Sequence, residues 1–287
     1  MSTYQCLAMA QHHFTLSDRL IRAISGWTLS PKDSVESVLA EGADVNQMHG
    51  TLLPLHCACM TGDDYYVKLF LNHGAEVNAV DGYGRAAIHY AAEQDEDCLT
   101  LLLESGADPN ALNTNGETAI HWASFRNKVE CVQALLTRNA LINLSDIHGN
   151  TPLNWAAMKG NYECVRLLLE YGVETHTLSI DGVSPISRVA CLIAAGLDVE
   201  EDEQCLDLLI NASGQFDIRD EDGMIPTSIT NDTALYNMLQ QFCCQPRSLR
   251  QQCRYTIRHH LNNTHLPASV KLLPLPAPLQ RYLLLQT

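Results

Sequence analysis

Five segments decide the fold: Leu53-Pro54-Leu55-His56, Ala86-Ala87-Ile88-His89, Thr118-Ala119-Ile120-His121, Thr151-Pro152-Leu153-Asn154 and Ser184-Pro185-Ile186-Ser187. Their fourth positions lie 33, 32, 33 and 33 residues apart. A second landmark runs in phase with them. It reads Gly42-Ala43-Asp44-Val45-Asn46, with variants starting at Gly74, Gly106, Asn139 and Gly172, and its starts are 32, 32, 33 and 33 apart. A repeat of this length cannot bury its own apolar face, so the array is the folding unit.

Each unit reads as two helices. Thr151-Pro152 and Ser184-Pro185 predict helix starts, because the hydroxyl accepts a first-turn N–H and proline lacks only a donor that would be unsatisfied anyway. The alanines of inner helices such as Trp122-Ala123 and Trp155-Ala156-Ala157 let neighbouring repeats approach closely. The second helices carry Leu69-Phe70-Leu71, Leu101-Leu102-Leu103, Leu135-Leu136, Leu167-Leu168-Leu169 and Leu208-Leu209-Ile210. They end at Gly74, Gly106, Asn139 and Gly172, residues that tolerate a left-handed C-cap. The period and the Thr-Pro-Leu-His core resemble the ankyrin repeat. That resemblance implies an all-α solenoid with short β-hairpins. About five repeats are expected, with an N-terminal helical cap and degenerate repeat over 1–46, and repeats plus a C-terminal cap over 47–242. Cys205 follows Ser187 by 18 residues where Cys164 follows Asn154 by 10, which predicts an eight-residue insertion near 196–203.

Length and charge bound the function. At roughly 150 residues per domain, 287 residues suggest about two domains, and 46% apolar residues suffice for a core. No apolar run reaches the roughly 18 to 20 residues of a membrane span. Met1 to Gln11 lacks a charged segment followed by a long apolar one, so no secretion is expected. The net charge of −15 argues against a nucleic-acid surface over the whole molecule. From Cys243 to Thr287, however, there are six basic residues and no acid, leaving 12 basic against 33 acidic residues, −21, on the first 242. Two parts with different partners are implied, and the acidic part weakly favours a partner with basic patches. Eleven cysteines, an odd number without a secretion signal, favour reduced thiols in the cytosol or nucleus, and a cytoplasmic protein is expected.

The cysteines and histidines fall on the repeat. Cys98, Cys131, Cys164 and Cys205 occupy equivalent positions, which makes a stack of small core side chains rather than a metal cage. Cys57 and Cys59 take the places of alanine or another small residue. His56, His89 and His121 hold the position where, by the ankyrin resemblance, imidazole ties hairpin to inner helix. No phosphate loop, dinucleotide fingerprint or zinc-spaced cysteine pair occurs. No catalytic residue, cofactor or metal is expected.

Positions that vary while the framework repeats are free to specify a partner. They include Met60, Glu93, Phe125, Arg126, Met158 and Lys159 on inner helices, and Tyr83 and Arg85 at hairpin tips. Exposed aromatic, Met and Arg residues are enriched at protein interfaces. This predicts a face for an unidentified protein substrate.

The C-terminal segment carries a second signal. Pro246 is placed to open a helix. Leu249, Cys253, Ile257 and Leu261 form one apolar stripe, with Arg250, Arg254 and Arg258 in a basic stripe beside it. A basic helix on an anionic membrane or nucleic acid, a helix packed as a terminal cap, and a helix laid in a partner's groove all fit this pattern. Apolar residues running on to Leu285, in a region too small to bury them, favour the third. Ser248-Leu249, Cys253 and Ile257 resemble the elongin C binding box. Val270, Leu273-Pro274-Leu275-Pro276, Leu279, Tyr282 and Leu283 resemble the adjoining cullin box in its cullin-5 form. Residues 247–287 thus resemble a SOCS box, and the whole chain resembles the ankyrin repeat and SOCS box protein family.

That resemblance implies a non-catalytic substrate receptor of a cullin-RING ubiquitin ligase, with no nucleic-acid or membrane partner. Ser248, Leu249, Cys253, Ile257 and Leu261 would bind elongin C with elongin B. Leu273, Pro274, Leu275 and Pro276 would select cullin-5 with its RING protein. Asn78 and Asn110 lie in settings similar to asparagines that are hydroxylated in ankyrin repeats. An ankyrin scaffold without ligase recruitment is the rival from another class, and a Cys/His enzyme a distant third.

Overall fold

The computed structural model describes residues 16–25, 34–196, 200–213, 216–219, 223–244, 248–261 and 265–285. Pro246, Arg247, the centre of the expected insertion at 197–199, and most of the expected N-terminal cap before residue 34 lie outside the described residues. The chain divides into two compact units, Met1–Ala119 and Ile120–Thr287.

The first unit contains α1 (residues 16–24), α2 (Val35–Ala40), α3 (Pro54–Thr61), α4 (Asp64–Asn72), α5 (Ala87–Gln94) and α6 (Glu96–Glu104). Inner helices α3 and α5 pack on each other and on the outer helices α4 and α6. Phe70, Ile88, Leu99 and Leu102 fill the space between the layers and are fully buried. The second unit begins within α7 (Ala119–Phe125) and continues with α8 (Val129–Thr137), α9 (Pro152–Met158), α10 (Tyr162–Glu170), α11 (Pro185–Ala195) and α12 (Glu200–Ala212). Here α9 and α11 form an inner layer against α10 and α12. Then come α13 (Thr227–Asn231) and α14 (Thr233–Cys244), followed by α15 (Leu249–His260), α16 (Leu266–Lys271) and α17 (Ala277–Leu283).

Local chemistry explains the helix starts. Thr151 and Ser184 cap α9 and α11, accepting from the amides of Asn154 and Ser187. Leu53 and Ala86 hold the same place before α3 and α5 but have no acceptor. There the histidine three residues on supplies it: Nδ1 of His56 accepts from the Leu53 amide at 3.2 Å, and Nδ1 of His89 from the Ala86 amide at 3.1 Å. With Nδ1 accepting, the proton sits on Nε2, which donates to the carbonyls of Ala79 and Glu117, each at 3.1 Å. One imidazole thus caps its own helix and holds the following turn.

The expected β-hairpins are reduced to turns. Among the described residues the only β-bridges are isolated, His49 with Leu52 and Val80 with Ala86. The turns close through Asp81–Arg85, Asn113–Glu117, Asp146–Asn150 and Ser179–Val183 hydrogen bonds of 2.9 to 3.1 Å. The expected left-handed C-caps all have positive φ, including Asn139 at 63°. The insertion is taken up largely by longer helices: α11 has 11 residues and α12 has 13, against 7 and 9 for α9 and α10.

Candidate protein-binding interfaces

Helix α15 is set by its first turn. Ser248 Oγ accepts from the Gln251 amide, and Gln251 Oε1 accepts from the Ser248 amide at 3.0 Å, a reciprocal cap. The orientation of the helix reverses what its composition suggests. Arg254 and Arg258, on the basic stripe, are buried at 7% and 6% exposure, while Leu249 is 76% exposed and Cys253 is exposed. Ile257 and Leu261 are half-buried.

The reason lies in helix ends. The last carbonyls of a helix have no partner within it and carry partial negative charge. Arg254 donates to the Asn211 carbonyl at the end of α12 at 2.5 Å. Arg258 donates to the carbonyls of Leu169, in the last turn of α10, and Leu283, ending α17, both at 2.7 Å. Burial, then the neighbouring Arg254, lowers Arg258 to about 10, so it stays charged at neutral pH. Tyr255 adds a hydrogen bond to His176, and Arg250 and Arg254 stack on the Tyr282 ring at 4.0 and 4.5 Å. Two arginines therefore fix α15 on the last repeats, and the N-terminal half of the apolar stripe, Leu249 and Cys253, faces solvent. The basic-stripe readings, membrane or nucleic acid, lose the two residues they would need. The helix is both packed as a cap and left with an uncovered apolar edge.

The adjoining segment has its own small core. Leu266, Val270 and Leu283 are buried, so Val270 and Leu283 hold the box together rather than face outward. Pro274 and Pro276 are exposed, and Leu273 and Leu275 half-buried. Leu272 and Leu279 are exposed at 86% and 42%.

The substrate-face residues fall in both units. In the first, Met60 and Tyr83 are exposed and Glu93 half-buried; Arg85 lies against the rings of Tyr83 and Tyr90 at 5.5 and 5.8 Å. Burial pushes the Asp81 carboxyl up, but hydrogen bonds from Tyr90 and from the Arg85 and Tyr83 amides outweigh it and hold the group below its ordinary value. In the second, the Phe125 ring meets Trp155 edge-on at 5.5 Å and carries Arg126 at 5.8 Å and Lys159 at 4.7 Å. Met158 is exposed. Trp122, Trp155 and Arg188 belong to this surface; the sequence placed the two tryptophans on inner helices but assigned none of the three to the binding face. Their spacing of 33 residues, one per repeat, is the signal that marks them.

The thiols and histidines take structural places. Cys98, Cys131, Cys164 and Cys205 are buried, and burial raises Cys98, Cys164 and Cys205 to about 12, far from a reactive thiolate. Cys57 is raised to about 11 for the same reason. Asn78 donates to the Gly106 carbonyl at 3.1 Å and accepts from the Asp108 amide at 2.9 Å, stapling one repeat to the next. Asn46 makes the same pair of bonds to Gly74 and Glu76. Asn110 is half-buried, its amide accepted by Asp108.

Comparison with known proteins agrees with this anatomy. The family model for ankyrin repeats (3 copies) matches residues 20–113 and 105–178, and the SOCS box model matches residues 245–284. Ankyrin repeat and SOCS box protein 8 of Mus musculus is 52% identical over 284 residues, covering 99% of this chain and 98% of the relative. The proteins of the same name from Homo sapiens and Bos taurus are 51% identical over the same span. With helix-pair repeats, a three-helix box at the C-terminal end and this identity over nearly the full length, the chain belongs to the ankyrin repeat and SOCS box protein family.

Proposed function

We propose that this chain is the substrate-recognition subunit of an elongin B/C, cullin-5 and RING ubiquitin ligase, acting in the cytoplasm and bringing a target protein to the complex through its repeats. The observation that carries this reading is the orientation of α15: Arg254 and Arg258 anchor it while Leu249 and Cys253 project into solvent. A helix packed only as a terminal cap would bury those residues and hydrate the arginines, so the arrangement fits a helix built to receive a second chain. Ser248, Leu249, Cys253, Ile257 and Leu261 contact elongin C, and Leu273 to Pro276 direct the choice of cullin-5. The receptor itself performs no chemistry and uses no cofactor. It raises the effective concentration of target lysines near the ubiquitin-charged enzyme. Asn78 and Asn110 remain candidate hydroxylation sites, and an intact-mass gain of one oxygen after coexpression with an asparaginyl hydroxylase is the readout.

Pull-down tests the assembly. Wild type captures elongins B and C and cullin-5. The double variant Leu249→Ala/Cys253→Ala loses all three, and Pro274→Ala/Pro276→Ala loses mainly cullin-5. Leu249, Cys253, Pro274 and Pro276 are exposed, so thermal stability stays within about 0.5 kcal/mol of wild type. A wild-type chain that captures none of them is a plain ankyrin scaffold.

A further inference from the structure

The formal charge of the repeats points to a basic partner, but the placement of charge points the other way. In the second unit the helical acids of the repeats sit on outer helices, Glu130 on α8, Glu163 and Glu170 on α10, and the acidic first turn of α12, while Asp146 and Asp181 lie at turns. The inner helices α7, α9 and α11 contain no acidic residue. Their face carries Arg126, Lys159 and Arg188 around an aromatic cluster in which Trp155 meets Phe125 at 5.5 Å and Trp122 at 6.0 Å. Lys159 is exposed, with its ammonium on the Phe125 ring rather than on a carboxylate. Arg188 is held by Asn150 Oδ1 at 2.6 Å and lies against the Met158 sulfur. Of the two acids that act on Arg188, Asp146 is buried and already bonded by Trp155 and two turn amides; Asp181 is at an exposed turn.

We propose that the inner face of the third to fifth repeats binds an acidic segment of a protein partner, with an aromatic or aliphatic side chain seated against Trp155 and Phe125 and carboxylates over Arg126, Lys159 and Arg188. This rests on the reading of the repeats as the substrate-recognition face and gives that substrate a chemical class. Aromatic anchors flanked by cations supply the contacts that dominate protein interfaces, and charge complementarity sets the sign of the partner. A nucleic acid would also meet rings and cations. Three cations on an otherwise acidic unit do not make the continuous basic track that such a backbone follows, so the peptide is favoured.

The test is selection of a random displayed dodecapeptide library on the full chain, followed by fluorescence anisotropy with the best peptide. Enrichment of Asp and Glu around a Trp, Phe or Leu is expected. Affinity should fall about tenfold or more in Arg126→Glu/Lys159→Glu, fall by a smaller factor in Lys159→Glu alone, and weaken as salt is raised. No enrichment, enrichment of Lys and Arg, affinity unchanged in both variants, or a single-stranded dodecanucleotide binding as tightly as the peptide overturns the proposal. Elongin capture by the wild-type chain is measured in parallel. Its failure would sink the ligase reading alone, and failure of peptide selection would sink this one alone.

Discussion

At residue scale the repeat histidine shows how a single side chain links sequence to fold. His56 and His89 each satisfy an N-terminal amide of their helix and a carbonyl of the following turn. In the fourth repeat the position is Asn154, fully buried, and both its amide atoms lie without a hydrogen-bond partner. The shorter side chain does not span the distance that imidazole spans, and Thr151 has taken over the cap. Asn154→His should therefore stabilise the chain by about 1 kcal/mol, read as a rise of a few degrees in Tm. An unchanged or lower Tm would mean that the site has closed around asparagine. The histidine's place was legible in the sequence, because it recurs in phase. The orphaned amide was not, since satisfaction depends on atoms brought from elsewhere.

At the scale of the element, α15 decides what the C-terminal segment can do. The four-residue spacing of Leu249, Cys253, Ile257 and Leu261 gave an apolar stripe, and Arg254 and Arg258 a basic one. Amphipathicity fixes that the two stripes differ but not which one faces inward. The inward face is chosen by carbonyls in the last turns of α10, α12 and α17, which come together only once those helices are folded and close. Arg258→Ala strips two buried carbonyls of a charged donor and should cost about 2 to 4 kcal/mol. The effect is local, so hydrogen exchange over α15 to α17 should rise while exchange in α3 to α6 stays at wild-type rates. Uniformly faster exchange, or none, would show that Arg258 is not the anchor.

At the scale of the whole molecule, stability should depend on acidity through the buried imidazoles. Burial, the largest influence, holds His56 and His89 below the ordinary histidine value of 6.5. The unfolded chain therefore takes up protons first as pH falls through that value, and folding weakens until the folded imidazoles also protonate. Above it their contribution is complete. The unfolding free energy, and with it the urea midpoint, should thus fall as pH drops below about 6.5, by at most about 1.4 kcal/mol per pH unit for each group. Asp81 and Asp146, held below the ordinary 3.8, act only at still lower pH. A midpoint that holds or rises on acidification would contradict neutral, capping histidines. The same scale holds the reversal of charge: −21 summed over the first 242 residues says nothing of which layer bears it.

The sequence by itself determined the helix pairs, their period, the caps at Thr151 and Ser184, the core thiols and the box at the C-terminal end. Each rests on chemistry between near neighbours or on a pattern that repeats along the chain. Tertiary structure alone decided that α15 turns its arginines inward, that Val270 and Leu283 are core, and that the inner face of the second unit is cationic over an aromatic cluster. These depend on which surfaces meet. A buried arginine and an exposed leucine are favourable only beside particular carbonyls and an uncovered edge, and residue spacing carries no record of either.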